Sequence, residues 1–302
     1  MKKRIALLVV LMLCLGAWAL AAPALDRAGN PIDLKEDIER IVCLAPSTSQ
    51  VIADLGLWEK VVAVDIYTAG YLPELCRGLP QFDMMAPDVE QLAALEPDAV
   101  FITGMSTVDG DDPFHALMQL GIQVIIIPSS SSIAGIREDV LFIGQCLGAE
   151  GAAQALVDAM QEQIDAVAAV GAAIEEKKTV AIEVAALPYL CYAGGGSYLS
   201  EMIELIGGVN AYADQPAWAS VTEEAAVAAD PDVILTAIDY LPDPVEEIMN
   251  RPGWEAMTAI KSGSVYRIDS ESANQPNHRI VKALWEMARA VYPERFAEAP
   301  AA

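Results

Sequence analysis

The sequence predicts an α/β protein of two Rossmann-like lobes, each around a mainly parallel sheet, joined by a single long helix. Three observations carry that prediction. The run Asp88-Val-Glu-Gln-Leu-Ala-Ala-Leu-Glu-Pro-Asp98-Ala-Val-Phe returns at an offset of 134 residues as Thr222-Glu-Glu-Ala-Ala-Val-Ala-Ala-Asp-Pro-Asp232-Val-Ile-Leu. Each copy reads as a capping residue, a Glu at the second helical position, an apolar-faced helix, an acidic-Pro-Asp stop and a strand. Pro46-Ser-Thr-Ser-Gln-Val-Ile-Ala-Asp-Leu-Gly56 is echoed in pattern by Gly196-Ser-Tyr-Leu-Ser-Glu-Met-Ile-Glu-Leu-Ile-Gly207. Between the copies, residues 151–170 place Leu156, Met160, Ile164 and Val167 on one helical stripe, without the Gly/Ser/Pro richness of a flexible linker. Two similar lobes make a cleft, and their similar surfaces suit a two-fold partner.

The elements follow in order. Lys2, Lys3 and Arg4 precede an apolar run at 5–19, and Ala19-Leu-Ala21 offers a small-x-small cleavage site. Residues 1–21 therefore read as a cleaved signal peptide and the protein as periplasmic or extracytoplasmic. Leu-Met-Leu before Cys14 lacks the small residue a lipid-modified cysteine needs, so no lipid anchor is expected. Residues 26–31 hold a turn. A buried strand at 40–45 ends at Pro46 and Ser47, and a helix at 49–55 is closed by Gly56. A strand at 61–65 follows. Asp88 caps a helix running through Leu95, with Gln91 placed to complete a capping box. A strand at 99–102, a helix at 113–119 and an apolar strand at 122–127 complete a βαβ pattern. A loop begins at Ser129, and a helix at 133–147 precedes the connecting helix. The second lobe opens with a strand at 179–185, a loop at 187–196 with Pro188 and a Gly-Gly-Gly run, and a helix at 197–206. The repeated helix and strand occupy 223–229 and 233–236. A short helix at 245–249, a strand at 265–268 and an amphipathic helix at 279–292 close the chain. The boundaries expected are a signal peptide at 1–21, an N-terminal lobe at 22–148, the connecting helix at 149–172 and a C-terminal lobe at 173–302.

With 54% hydrophobic and 20% charged residues the composition is that of a folded chain. The net charge is -25, and loss of Lys2, Lys3 and Arg4 leaves the exported chain near -28. Such a chain repels phosphate backbones and anionic lipid heads, which excludes nucleic acid as a partner. Cys43, Cys76, Cys146 and Cys191 are scattered, with no Cys-x-x-Cys pair and no neighbouring histidine, so no zinc site is expected. Cys43 and Cys191 sit in or beside core strands and read as buried free thiols.

Several segments fall in a telling order: Arg40-Ile-Val-Cys-Leu-Ala-Pro-Ser-Thr-Ser, Val89-Glu-Gln-Leu to Pro97-Asp, and Gly194-Gly-Gly-Ser-Tyr-Leu-Ser to Gly207-Gly-Val-Asn210. Trp218-Ala-Ser-Val-Thr-Glu-Glu, Pro231-Asp, Gly253-Trp254, Gly263-Ser-Val-Tyr and Arg279-Ile-Val continue it. Together, over roughly residues 25–295, the chain resembles the ABC-transporter periplasmic substrate-binding proteins of the iron-siderophore, cobalamin and haem class. The resemblance implies two lobes on one rigid helix, closing slightly on a metal chelate. It also implies a monomer delivering that chelate to an ABC permease dimer with its ATPase subunits.

Glu90 and Glu224 match the positions at which that family docks one glutamate per lobe into permease arginines. As residues alone, each also suits the positive end of its helix. The resemblance and the strand-end rule point to a pocket at Ser47, Tyr67, Tyr189, Trp218 and Tyr240. Tyr67 and Trp218 match aromatic ligand contacts of vitamin B12 binders, whereas Met84 and Thr103 stand where those binders carry other aromatics. Aromatic faces suit a flat macrocycle or a catecholate. Arg267 and Arg279 are the candidates to meet an anionic ferric siderophore, which supplies its own iron ligands and is the ligand preferred. Cobalamin and haem are the alternatives, with Tyr67 or Tyr240 able to reach a haem iron, as is a secreted ligand sensor without a transport role.

No enzyme is expected. Gly194-Gly-Gly-Ser197 is not followed by the lysine of a phosphate loop, and neither His115 nor His278 has a nucleophile-elbow serine beside it. No cofactor and no protein metal site is expected.

Overall fold

The computed structural model describes residues 23–35, 37–107 and 113–297. The signal peptide and Cys14 lie outside the described residues. The first lobe holds strands β1 (Ile41–Leu44), β2 (Val61–Asp65), β3 (Gln81–Phe82), β4 (Ala99–Thr103) and β5 (Gln123–Ile127). They form an all-parallel sheet in the order β3-β2-β1-β4-β5. Helices α1 (Pro46–Asp54), α2 (Ile66–Tyr71), α3 (Val89–Ala94) and α4 (His115–Gln119) cover its faces. In β1 every residue is buried, and alternate residues feed two cores: Ile41 and Cys43 face one, Val42 and Leu44 the other. That is why this strand reads as a continuous apolar run.

Two helices cross between the lobes, α5 (Ile133–Cys146) and α6 (Glu150–Gly171). The stripe of α6 is divided. Ala153 and Val157 pack in the first lobe's core, while Met160, Ile164 and Val167 pack in the second's. Leu156, expected on the stripe, is half-buried, and Val157 takes the inward position. α5 is divided as well, with Ile133 and Ile136 in the second core and Val140, Ile143 and Cys146 in the first. The connection is thus a helical hairpin in which α5 shares the role expected of α6 alone. Its two members touch closely: a Cβ on Gly144 would lie 2.3 Å from the Ala153 Cβ. Only a glycine permits that approach.

The second lobe comprises β6 (Thr179–Ala185), β7 (Cys191–Ala193), β8 (Val209–Asn210), β9 (Trp218–Ser220), β10 (Val233–Thr236) and β11 (Val265–Arg267). The sheet order is β11-β10-β6-β7-β9, with β8 beside β6. Its helices are α7 (Tyr198–Leu205), α8 (Glu223–Ala229), α9 (Pro244–Met249), α10 (Thr258–Ser262), α11 (Ser270–Asn274) and α12 (Ile280–Val291). β10 and β11 run parallel to β6, whereas β7 and β9 make an antiparallel edge. The loop expected at 187–196 therefore contains a strand. Three residues with a glycine run beside them carry too little alternation to be read as one.

The internal repeat has a structural meaning. β4 lies parallel beside β1, as β10 lies beside β6, so the repeated strands hold equivalent places. In both copies the Asp after Pro pins the start of the neighbouring strand. The Asp98 carboxylate accepts from the Glu39 and Arg40 backbone N–H groups at 2.9 and 3.0 Å. The Asp232 carboxylate accepts from the Thr179 N–H and hydroxyl, both at 2.8 Å. Each satisfies polar groups where the ladder begins.

Candidate functional site

In both lobes the parallel strands end on the side facing the other lobe, so the loops after them line one cleft. Contacts at both ends of the cleft help set how the lobes oppose each other. At one end Gln275, after α11, donates to the Tyr71 hydroxyl of α2 at 3.4 Å. At the other the Glu201 carboxylate of α7 accepts from Ile133 N–H at 2.9 Å. Beside the first contact lies a cavity of about 580 Å³ lined by Gly70 and Tyr71 from one lobe and Asp239, Arg267, Asp269, Ser270, Glu271 and Glu286 from the other.

Local rules place the first-lobe candidates. Asp65 ends β2 and caps α2, its carboxylate accepting from the N–H groups of Tyr67 and Thr68 at 2.8 and 2.9 Å. The cap fixes the chain where Tyr67 leaves the sheet, with its side chain 53% exposed. Asp65 is itself fully buried, and burial raises its pKa against the opposing hydrogen bonds from Thr68 and Tyr67. Ser47 stands in the first turn of α1 and is half-buried; its carbonyl accepts from Asn277 across the lobe junction at 3.4 Å. Pro46 at the first helical position starts α1 three residues earlier than expected.

The second-lobe aromatics Tyr189, Trp218 and Tyr240 are exposed. Tyr189 is 82% exposed, and Tyr240 follows β10. The Tyr240 hydroxyl accepts from Ala186 N–H at 2.8 Å, which ties the loop after β10 to the loop after β6. That bond uses the oxygen on which haem ligation by Tyr240 would rely. Trp218 opens the edge strand β9, half-exposed, and stands edge-on to the buried Tyr198 ring with centroids 6.3 Å apart. Tyr67 follows β2 and Tyr240 follows β10, strands that do not correspond in the repeat, while Trp218 stands on the edge strand β9, paired with Ala193 of β7. Met84 is buried in the first lobe's core, and Thr103 caps the turn after β4, its hydroxyl accepting from Met105 N–H at 3.0 Å.

The two arginines differ. Arg267 ends β11, is exposed and lines the cavity. Arg279 is not free to meet an anion. Its guanidinium donates to Asp54 at 2.7 and 2.9 Å and to Glu271 at 2.9 Å. His278 Nε2 lies 2.7 Å from the same Asp54. Burial alone would raise the Asp54 pKa, but the hydrogen bonds of His278 and Arg279 prevail and hold it well below the usual carboxylate range. Gln50 of α1 donates to Glu271 at 2.7 Å and accepts from Asn277. These residues form a polar seam that fastens α1 to the second lobe. Sequence reading missed Gln50, Asp54, Glu271 and Asn277, because a seam between distant segments leaves no periodic trace.

Glu90 and Glu224 are both exposed in the first turns of α3 and α8. Asp88 caps α3 by accepting from Gln91 N–H at 3.0 Å, and Thr222 caps α8 by accepting from Ala225 N–H at 3.3 Å. The expected capping box is modified: the Gln91 side-chain amide donates to the Asp88 carboxylate, where a capping box would have its oxygen accept from the Asp88 N–H. Hydrogen bonds from its own N–H and from Thr222 lower the Glu224 pKa, so its charge persists to lower pH. The glycine run has a packing reason. A Cβ on Gly194 would lie 1.9 Å from Pro216 O, and one on Gly195 2.0 Å from Ala213 O. All four described cysteines are free.

Comparison with known proteins agrees with the two-lobe fold. The model of the periplasmic binding protein family matches residues 41–272. An ABC transporter substrate-binding lipoprotein of Bacillus subtilis is 30% identical over 275 residues, 90% of this chain and 86% of the relative. A cobalamin-binding protein of Halobacterium salinarum is 30% identical over 287 residues, 88% and 73% of the two chains. The molybdate-bound binding protein of Haemophilus influenzae superposes with a TM-score of 0.77 at 23% identity, covering 90% of this chain and 91% of that one, a likeness of fold.

Proposed function

The chain belongs to the periplasmic binding protein family, and we propose that it captures a metal chelate outside the cytoplasm, a corrinoid of the cobalamin type first, and hands it to an ABC permease. Members of the family bind solutes without chemistry, so no catalytic residue is sought. The observation that carries the ligand is the relative named for cobalamin, which aligns over 88% of this chain. The half-exposed rings of Tyr67 and Trp218 on opposite lobes suit the flat faces of a macrocycle. The ferric-siderophore preference yields to this reading. An anionic siderophore needs unpaired cations, and Arg279 is held by Asp54 and Glu271.

In this proposal Tyr67, Tyr189, Trp218, Tyr240 and Ser47 line the ligand, with Arg267 at the margin. Glu90 and Glu224, one exposed on each lobe at equivalent places in the repeat, dock on arginines of the two permease subunits. Native mass spectrometry of the signal-free chain with cyanocobalamin, haemin, ferrioxamine B and maltose tests the ligand. A one-to-one complex with cyanocobalamin is expected. Binding of maltose with no response to any chelate would overturn the reading.

A further inference from the structure

The cleft has a strong charge asymmetry that the repeat does not require. The strand-end loops at 45–50, 65–72, 83–88, 103–107, 128–132, 186–190, 237–243 and 268–275 contain no Lys or Arg. Arg267, at the end of β11, is the one basic side chain lining the cavity beside Tyr71. Four carboxylates share that lining: Asp239, Asp269, Glu271 and Glu286. Two of them have cations of their own, Asp269 with Lys282 at 2.7 Å and Glu271 with Arg279 at 2.9 Å. Asp239 and Glu286 make no direct ion pair among the described residues, although Lys282, bound to Asp269, also lies in the field of Glu286. One oxygen of Asp239 accepts from the Ser270 hydroxyl, and one oxygen of Glu286 accepts from Asp269 N–H. The field crosses the cleft. Burial raises the pKa of Tyr71, and the charges of Asp239 and Glu271 raise it further.

Resting on the chelate-carrier reading above, we infer that Asp239 and Glu286 are specificity-determining carboxylates that reject anionic chelates. The cargo then turns an uncharged or cationic periphery, with N–H donors, toward this wall. Peripheral amides, as on a corrinoid, and a hydroxamate chelate with an ammonium tail share that chemistry. Propionates, catecholate chelates and oxyanions bring charge of the same sign. A carboxylate placed against an unpaired carboxylate loses in proportion to its closeness and to the local exclusion of water. Rejection by repulsion is how a site separates ligands of one shape.

The test changes charge while holding shape. The signal-free protein is titrated, by tryptophan fluorescence, with cyanocobalamin and with its monocarboxylic acids, in which one peripheral amide becomes a carboxylate. A second arm uses ferrioxamine B and its succinylated derivative, which exchanges the ammonium for a carboxylate. Whichever scaffold binds, its anionic member should bind about tenfold more weakly, with the gap narrowing at high salt. In the variant Asp239→Asn with Glu286→Gln, which keeps oxygen acceptors for Ser270 and Asp269, the gap should shrink several-fold. The variant's melting temperature and circular dichroism establish that it is folded. Equal or tighter binding of the anionic members by the wild type would overturn the inference and leave the carrier reading standing. So would an unchanged gap in a folded variant. Failure of every chelate to bind would remove both.

Discussion

Replacing Asp54 by Ala removes the hub of the seam between α1 and the second lobe. Asp54 receives the Arg279 guanidinium at two distances, 2.7 and 2.9 Å, and faces His278 at 2.7 Å. The side chains of Asp54 and Arg279 are 31% and 28% exposed. A fully exposed pair contributes about 0–1 kcal/mol, and breaking a fully buried one costs about 3–5 kcal/mol. Here Arg279 keeps Glu271 as a partner, so the loss falls between these limits, at about 2 kcal/mol. Urea unfolding reads this as a midpoint lowered by about 0.5–1 M. The sign of the pH dependence follows from the depressed pKa of Asp54. Its stabilisation is complete above the unfolded value of about 3.9 and is lost as pH falls through the folded value. The difference between wild type and variant should therefore be present at about pH 5 and close progressively below about pH 4. A double-mutant cycle with Arg279→Ala should give a coupling of about 1 kcal/mol or more. A midpoint unchanged in the variant, or a difference that persists into strong acid, would refute the seam.

Four further outcomes are expected. Tyr67→Ala and Trp218→Ala should each weaken cyanocobalamin binding by about 1–2 kcal/mol, a factor of roughly five to thirty in titration; unchanged affinity in both would remove them from the site. Glu90→Ala and Glu224→Ala should leave affinity intact but slow uptake in cells carrying the cognate permease, with a larger, non-additive loss in the double variant; full uptake there would defeat the docking role. Gly144→Val places a branched side chain where a bare Cβ already sits 2.3 Å from Ala153, and should lower stability by about 2 kcal/mol or more on thermal melting. Burial raises the Cys43 and Cys146 thiols to about 12, so a thiol reagent at pH 8 should label them only on unfolding.

The fold was largely legible in the sequence, and the reason is periodicity. β1, β2, β4, β5, β6 and β10 are apolar runs between capped helices, and the 134-residue repeat marks strands in equivalent positions. Short elements were not legible. α2 is six residues set by the Asp65 cap, and β7 and β9 are held by pairing with each other. The connecting segment was read as one helix because its stripe is long. α5 shares that role because its own apolar residues divide between the two cores, a division its short stripe does not show in the sequence. Of the site, aromatic residues at strand ends could be named from pattern, since topology fixes where strands end. The engagement of Arg279 could not, because Asp54 lies 225 positions away along the chain. Whether a charge is free or paired is a property of three-dimensional neighbours.

The α5–α6 hairpin has a kinetic consequence. A wide swing of one lobe would drag part of each apolar stripe out of a core, at about 25 cal/mol for every Å² exposed to water. Lobe separation, and with it the spacing of Glu90 and Glu224, should therefore change little on loading. A receptor gripping both lobes then measures much the same footprint in either state and must sense the cargo by touching it. If the proposed docking holds, empty carriers would compete with loaded ones for the receptor, so raising the carrier concentration at fixed cargo should first speed delivery and then slow it.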